Sequence, residues 1–495
     1  MNYHSTRSSR EKISAAAAVL RGIAPDGGLY MPERLDLGFD WRELMGIPAQ
    51  EMAARILEAL LPDFENMKDL VGKAYRGKFE TEELTPLVPA GDRYVLELFR
   101  GPTSAFKDVA LSMLPQLITA ARRQERMEKE VLILTATSGD TGKAALAGFA
   151  DVPGTKICVF YPDGGVSAVQ KAQMVTQAGK NVRVCAVRGN IDDAQTGVKR
   201  IFAACAEKDL LAGKGVALSS ANSINIGRLA PQITYYFKAY SDLLAQGKIS
   251  LGDEVNFTVP TGNFGDILAG YFAKCLGLPV GRLICASNAN DVLTDFIRTG
   301  VYDRRRSLHK TVSPSMDILV SSNLERLLYL MSGESCGFVA ERMEELASRG
   351  VYTVPEDMKE KIQREFWAGC CGDGDTEATI REVWEKRGYL CDTHTAVGWN
   401  VSQQYLEETG DRRPMVVLST ASPYKFPAAV LEALGGDGRG DEFRQMETLG
   451  EMTGVPIPKN LAGLRGKEAR FRGVIDREDM LDYVLALGED AAWEE

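Results

Sequence analysis

Histidine is scarce in this chain, with three among 495 residues, too few and too scattered for a histidine-based metal site. There is no basic surplus either. The formal charge is −10, which argues against a nucleic-acid binder. No apolar run approaches the roughly 18 residues of a membrane span, so no membrane association is expected. Neither a GxxxxGK[ST] nor a GxGxxG loop occurs, which removes the common nucleotide cradles. Nine cysteines are scattered without zinc-type spacing, and Cys370 and Cys371 are adjacent and form no CxxC site. That usage fits a reduced, cytoplasmic chain. Arg7, Arg10 and Arg21 among serines give a weak transit-peptide flavour, but the apolar stretch 15–20 is too short for a secretory segment. Internal repeats and low-complexity tracts are missing.

What is present is ordinary globular composition, 45% hydrophobic and 25% charged, at a length that suggests about three domains. From residue 93 onward apolar runs alternate with helical stretches. The runs 131–135 (VLILT), 157–161 (ICVFY), 182–187 (VRVCAV), 254–259 (EVNFTV), 283–286 and 415–419 (MVVLS) read as strands. Such alternation predicts an α/β fold with mostly parallel sheets covered by helices on both faces. Residues 1–92 read as mostly helical and as a separate small N-terminal domain. Residues 431–495 hold a glycine-rich turn and a final helix near 476–487, a C-terminal extension packed on the body.

Lys107 is the residue with the strongest chemical claim. It lies in 101–108 (GPTSAFKD), just before a helical stretch 108–124 that Ser104 is placed to cap. A lysine in the first helical turn sits beside the positive dipole end, which favours the neutral amine of a Schiff-base enzyme. In 261–266 (TGNFGD), Gly262 and Gly265 let backbone amides converge at a helix start, which makes a phosphate cradle. The segment 137–141 (TSGDT) also joins a strand to a helix. Thr137, Ser138, Gly139, Asp140 and Thr141 there offer hydroxyls, amides and a carboxylate. In 219–228 (SSANSINIGR), Asn225 and Arg228 are candidates for an anion. Thr420 follows a strand end, where open α/β sheets bind ligands. His394 opens a helix and reads as a helix-start residue more readily than as a base. Two decoys carry no weight: 373–377 lacks calcium-loop spacing, and Arg304, Arg305 and Arg306 read as a solvated turn.

Taken in order, these segments resemble the threonine synthase family of tryptophan-synthase-β-like, fold-type II pyridoxal phosphate enzymes. The matching stretches are Ser5-Thr6-Arg7, 24–31 (APDGGLYM), GPTSAFKD, TATSGDTGKAA, SSANSINIGR, PTGNFGD, SPSMDI (313–318) and TASPYKFP, covering about residues 3–430. The resemblance implies two sheet lobes within 93–430 with pyridoxal 5'-phosphate in the cleft between them. Lys107 is then the Schiff-base lysine. Gly262, Asn263, Phe264, Gly265 and Asp266 hold the cofactor phosphate, Thr420 meets the ring nitrogen, and Asp140 lies against the ring. Thr137, Ser138, Gly139 and Thr141 face the substrate carboxylate, and Asn225 and Arg228 its phosphate. The implied activity is conversion of O-phospho-L-homoserine and water to L-threonine and phosphate, the last step of threonine biosynthesis, by a monomer or homodimer without a metal. The alternatives are a serine/threonine deaminase or phosphohomoserine phospholyase of the same fold, and a non-catalytic binding protein that retains it. Two departures stand out. Ser422 replaces a histidine found in many relatives, and Asp140 replaces the asparagine of more distant ones.

Overall fold

The strand Thr155–Pro162 is buried along its whole length, and so is Val182–Val187. Strands without a wet face need helices on both sides, and parallel pairing supplies them through crossover helices. The structure, a computed structural model, describes residues 1–495 except Asp36, Phe39, Ser138, Gly165, Asp209, Ala212 and residues 490–492, 494 and 495; the side chains of Asp192 and Ala206 are also outside it. Among the described residues one parallel sheet runs in the order Val474–Ile475, Val182–Val187, Thr155–Pro162, Glu130–Ala136, Val216–Ser219.

The larger sheet runs Phe366–Cys370, Val280–Ser287, Val255–Pro260, Met415–Ser419, Arg93–Glu97, Leu87–Ala90. Every neighbouring pair is parallel except the last, an antiparallel hairpin. The expected α/β architecture of two mostly parallel sheets is therefore present. Met415–Ser419 lies between Val255–Pro260 and Arg93–Glu97, so the late strand joins early and middle parts of the chain.

The first 90 residues depart from the helical reading. Tyr3–Ser5, Ser8–Ile13 and Tyr30–Pro32 make an antiparallel sheet, with the helix Ala15–Arg21 between its last two strands and the helices Ala49–Leu60 and Met67–Tyr75 after it. This region is tied to the body by Arg7, which donates to both carboxylate oxygens of Glu325 at 2.8 Å. The Tyr75 hydroxyl also donates to the Val109 carbonyl at 2.8 Å. The predicted final helix is shorter than expected, Met480–Leu487. No helix among the described residues is long and apolar enough to cross a membrane.

Candidate active site

The helix Lys107–Gln124 begins at Lys107 itself, with Phe106 at its cap and no side-chain cap bond. Ser104 does not cap it. Its backbone is left-handed (φ 59°) and its Oγ donates to Asn460 at 3.0 Å. The turn is instead shaped by Asp108, whose carboxylate accepts from the Thr103 amide at 2.9 Å and the Thr103 hydroxyl at 2.5 Å. Gly101 packs against Asp108 with no room for a Cβ. Two backbone bonds then staple this turn to the end of the strand Met415–Ser419. Phe106 N donates to Thr420 O at 2.8 Å, and Ser422 N donates to Ser104 O at 3.1 Å. Lys107 and Thr420, far apart in sequence, thus share one wall. Ser422 is turned to local work, accepting from Tyr424 N at 3.4 Å.

Lys107 is partly buried, and its Nζ lies 4.5 Å from the Phe106 ring centre. Its pKa is pushed down to about 8, first by burial. Asp140 opposes that shift, Lys425 and Arg228 add to it, and Asp266 opposes it. The shift toward the neutral amine expected from the sequence is present, and its causes are desolvation and the neighbouring cations.

The cradle forms where the strand Val255–Pro260 passes into the helix Gly265–Cys275. Phe264 takes a left-handed conformation (φ 64°) at the cap, and the first amides of the helix that follows have no partner within it. The turn is held by Ser321 Oγ donating to Gly262 O at 2.8 Å and Asn323 N donating to Asn263 O at 3.0 Å. Gly262 leaves little room for a side chain, because a Cβ would stand 3.0 Å from Ser315 O. Asn323 Oδ1 accepts from Arg326 at 2.6 Å, which fixes the amide flip. Its Nδ2 is buried without a partner among the described residues and lies 3.5 Å from where a Gly265 Cβ would stand. A buried amide donor left open beside converging backbone amides is a donor set that fits a phosphate. Asp266 is pushed up to about 6 by burial, against a bond from Ile267 N and the pull of Lys107.

The third wall is the turn into the helix Asp140–Phe149. Thr137 Oγ1 accepts from Gly139 N at 2.9 Å and Gly142 N at 3.0 Å, so Thr137 shapes the turn from behind. Ser138 lies outside the described residues. Gly139 (φ 142°) holds a backbone conformation that disfavours any side chain, and a Cβ there would displace the Gln170 amide. Asp140 is buried and bonded to Lys425 Nζ at 2.6 Å and Gln170 Nε2 at 3.0 Å, with Ser315 Oγ at 3.5 Å. Burial alone would raise its pKa; Lys425 and then Lys107 outweigh it and hold the carboxyl well below its ordinary range.

Arg228 is buried, donates to Ala221 O at 2.6 Å, and keeps Nε without a partner among the described residues. Burial pushes its pKa down to about 10. Asn225 is engaged at both ends, accepting from Gly227 N and donating to Val19 O, each at 2.9 Å. Its geometry is that of a cap that aims Arg228. His394 is buried at the start of the helix Thr393–Thr409. Its Nδ1 is 2.7 Å from Asp392 and its Nε2 accepts from Ser315 N at 3.2 Å, so both ring nitrogens hold structure. Lys425, Gln170 and Asn323 were not singled out from the sequence. Lys425 had a signal, as a lysine in the otherwise apolar YKFP segment; Asn323 had none. A cavity of about 680 Å³ between Arg183, Arg470 and Tyr483 is remote from this chemistry, and Arg183 and Arg470 already donate to backbone carbonyls.

Three family models match the chain: threonine synthase N terminus over residues 2–75, pyridoxal-phosphate dependent enzyme over 80–357, and threonine synthase, C-terminal, over 395–484. The threonine synthase of Saccharomyces cerevisiae is 37% identical over 489 residues, covering 90% of this chain and 93% of its own. That of Pseudomonas aeruginosa is 40% identical, covering 88% and 90%. Human threonine synthase-like 1 is 39% identical over 86% of this chain, which spans 59% of that protein's length. The crystal structure of PLP-bound threonine synthase from Brucella melitensis superposes with a TM-score of 0.87 at 38% identity, covering 99% of this chain and 98% of its own. With the terminal and central models all matching and relatives this similar along nearly the whole length, the chain belongs to the threonine synthase family of pyridoxal-phosphate dependent enzymes.

Proposed function

We propose that this chain converts O-phospho-L-homoserine and water to L-threonine and phosphate. The observation that supports this best is an amine of depressed basicity set between an open anion cradle and a charged turn. At pH 7 a lysine with a pKa of about 8 is about one-tenth neutral, whereas an ordinary lysine is about one part in 3,000 neutral. Lys107 is therefore the base assigned to the Cα proton and then the Cβ proton of the substrate, and the group that returns a proton at the end. Pyridoxal phosphate, when bound, supplies the electron sink for the charge left at carbon. Gly262, Asn263, Phe264, Gly265 and Asp266 are assigned to its phosphate together with Asn323, and Thr420 to its ring nitrogen. A hydroxyl at Thr420 leaves that nitrogen without a full positive charge and so moderates the sink.

Thr137, Gly139 and Thr141 are assigned to the substrate carboxylate, the first through the turn it shapes. Arg228, a buried cation with an open Nε, is assigned to the phosphate that leaves Cγ before water adds at Cβ. We also take the chain to work in the cytoplasm, as a monomer or homodimer; its nine free thiols support a reducing compartment. The test is to incubate the loaded protein with phosphohomoserine and identify the product. Threonine with one equivalent of phosphate is expected. A 2-oxo acid with ammonia would make it an eliminating enzyme, and recovery of unchanged substrate would make it a binding protein.

A further inference from the structure

Lys425 has no solvent exposure and sits in the short turn that follows Thr420. Its ammonium is 2.6 Å from Asp140 Oδ1 and 3.1 Å from the Thr103 carbonyl. Those contacts reach the turn before Lys107 on one side and the helix start facing Lys107 on the other. We propose that Lys425 is a positioning residue whose ammonium engages the Asp140 carboxylate, so that Asp140 shapes the site without holding Lys107 as its ion-pair partner. Two lysines then lie within the field of the Asp140 carboxylate, and the fully buried one takes the contact. The charges bearing on Lys107 are Asp140 and Asp266, which favour its protonated form, and Lys425 and Arg228, which disfavour it. Asp108, Lys143 and the Asp392–His394 pair stand behind these and are engaged with Thr103, Gln177 and each other. Replacing Lys425 by a neutral side chain removes a repelling cation and leaves Asp140 to pair with Lys107. Both changes push Lys107 toward the ammonium form.

The proposal rests on Lys107 being the working amine, yet it is read on the cofactor-free full chain and needs no turnover, so the two can fail separately. The experiment measures the rate at which Lys107 is labelled by formaldehyde and borohydride as a function of pH, by peptide mass spectrometry, since only the free amine reacts. K425M should lower Lys107 labelling at about pH 7 by about tenfold, while exposed lysines are unchanged. D140N/K425M, which removes the charges as a pair, should return it to within about threefold of the original chain. Equal Lys107 labelling in K425M and the original chain would overturn the proposal. If K425M does not fold, K425Q is read in its place: a loss of Lys107 labelling of about tenfold supports the proposal, and labelling equal to the original refutes it.

Discussion

Asp108 to alanine is the perturbation that most directly probes how the fold presents Lys107. The Asp108 carboxylate is buried, and burial raises its pKa against the Thr103 bonds and Lys425. It accepts at 2.9 Å from an amide and at 2.5 Å from a hydroxyl, both on Thr103. Each hydrogen bond to a charged group contributes about 1.5–3 kcal/mol, and the two orphaned donors of Thr103 would be left in a dry turn. Removing the buried charge returns part of that cost, so the net loss is about 3 kcal/mol. The urea midpoint of the cofactor-free chain should fall at unchanged m. Adding Thr103→Val, which removes the orphaned hydroxyl, should recover about 1 kcal/mol. Turnover should fall by about 10²-fold, because a loosened turn misplaces the amine by the order of an ångström. A stability change below about 0.5 kcal/mol with turnover intact would show that the turn is held by its backbone staples and not by this carboxylate.

Lys107→Ala should cut threonine formation by about 10³-fold or more, and borohydride should no longer fix the cofactor to the chain, as intact mass reports. Asn323→Ala should weaken pyridoxal phosphate binding by about tenfold while leaving pyridoxal unaffected; an equal loss for both would refute the cradle. Asp266 titrates near 6 in the fold and near 3.8 when unfolded. Its ionisation therefore costs stability as pH rises between those values, and the advantage of Asp266→Asn over the original should grow by about 2 kcal/mol between about pH 4 and pH 7. Thermal melts of the two cofactor-free chains at matched pH check the sign, and a gap that shrinks with rising pH counts against it.

How much of this was legible in the sequence varies with the physics of each segment. Glu130–Ala136, Val182–Val187 and Met415–Ser419 were readable because strands buried on both faces are continuous apolar runs. Arg93–Glu97 was not, since it opens on an arginine whose buried guanidinium lies 4.6 Å from the Trp399 ring centre and bonds to Ser402, contacts no local pattern announces. Ser8–Ile13 reads Ser-Ser-Arg-Glu-Lys-Ile, an exposed edge strand with no alternation to find. The candidate site was legible where chemistry depends on local backbone, at Lys107 and the 261–266 turn. It was opaque where partners meet across the fold, as with Lys425 and Asp140, or where a serine in cap position adopts a left-handed turn and leaves the helix start uncapped.

The strand Met415–Ser419 bridges two groups of neighbours, and of the strands in its sheet a ribosome makes it last. Until it emerges, Arg93–Glu97 has only its hairpin mate, and Val255–Pro260 offers a bare edge along one side. The smaller sheet, apart from the two-residue strand Val474–Ile475, can close much earlier in synthesis. A chain halted near residue 410 would thus carry one finished lobe and one split lobe with unpaired hydrogen-bonding edges, a template for aggregation. Late completion also means that the reactive amine is not assembled opposite its partner wall until nearly the whole polypeptide has been translated.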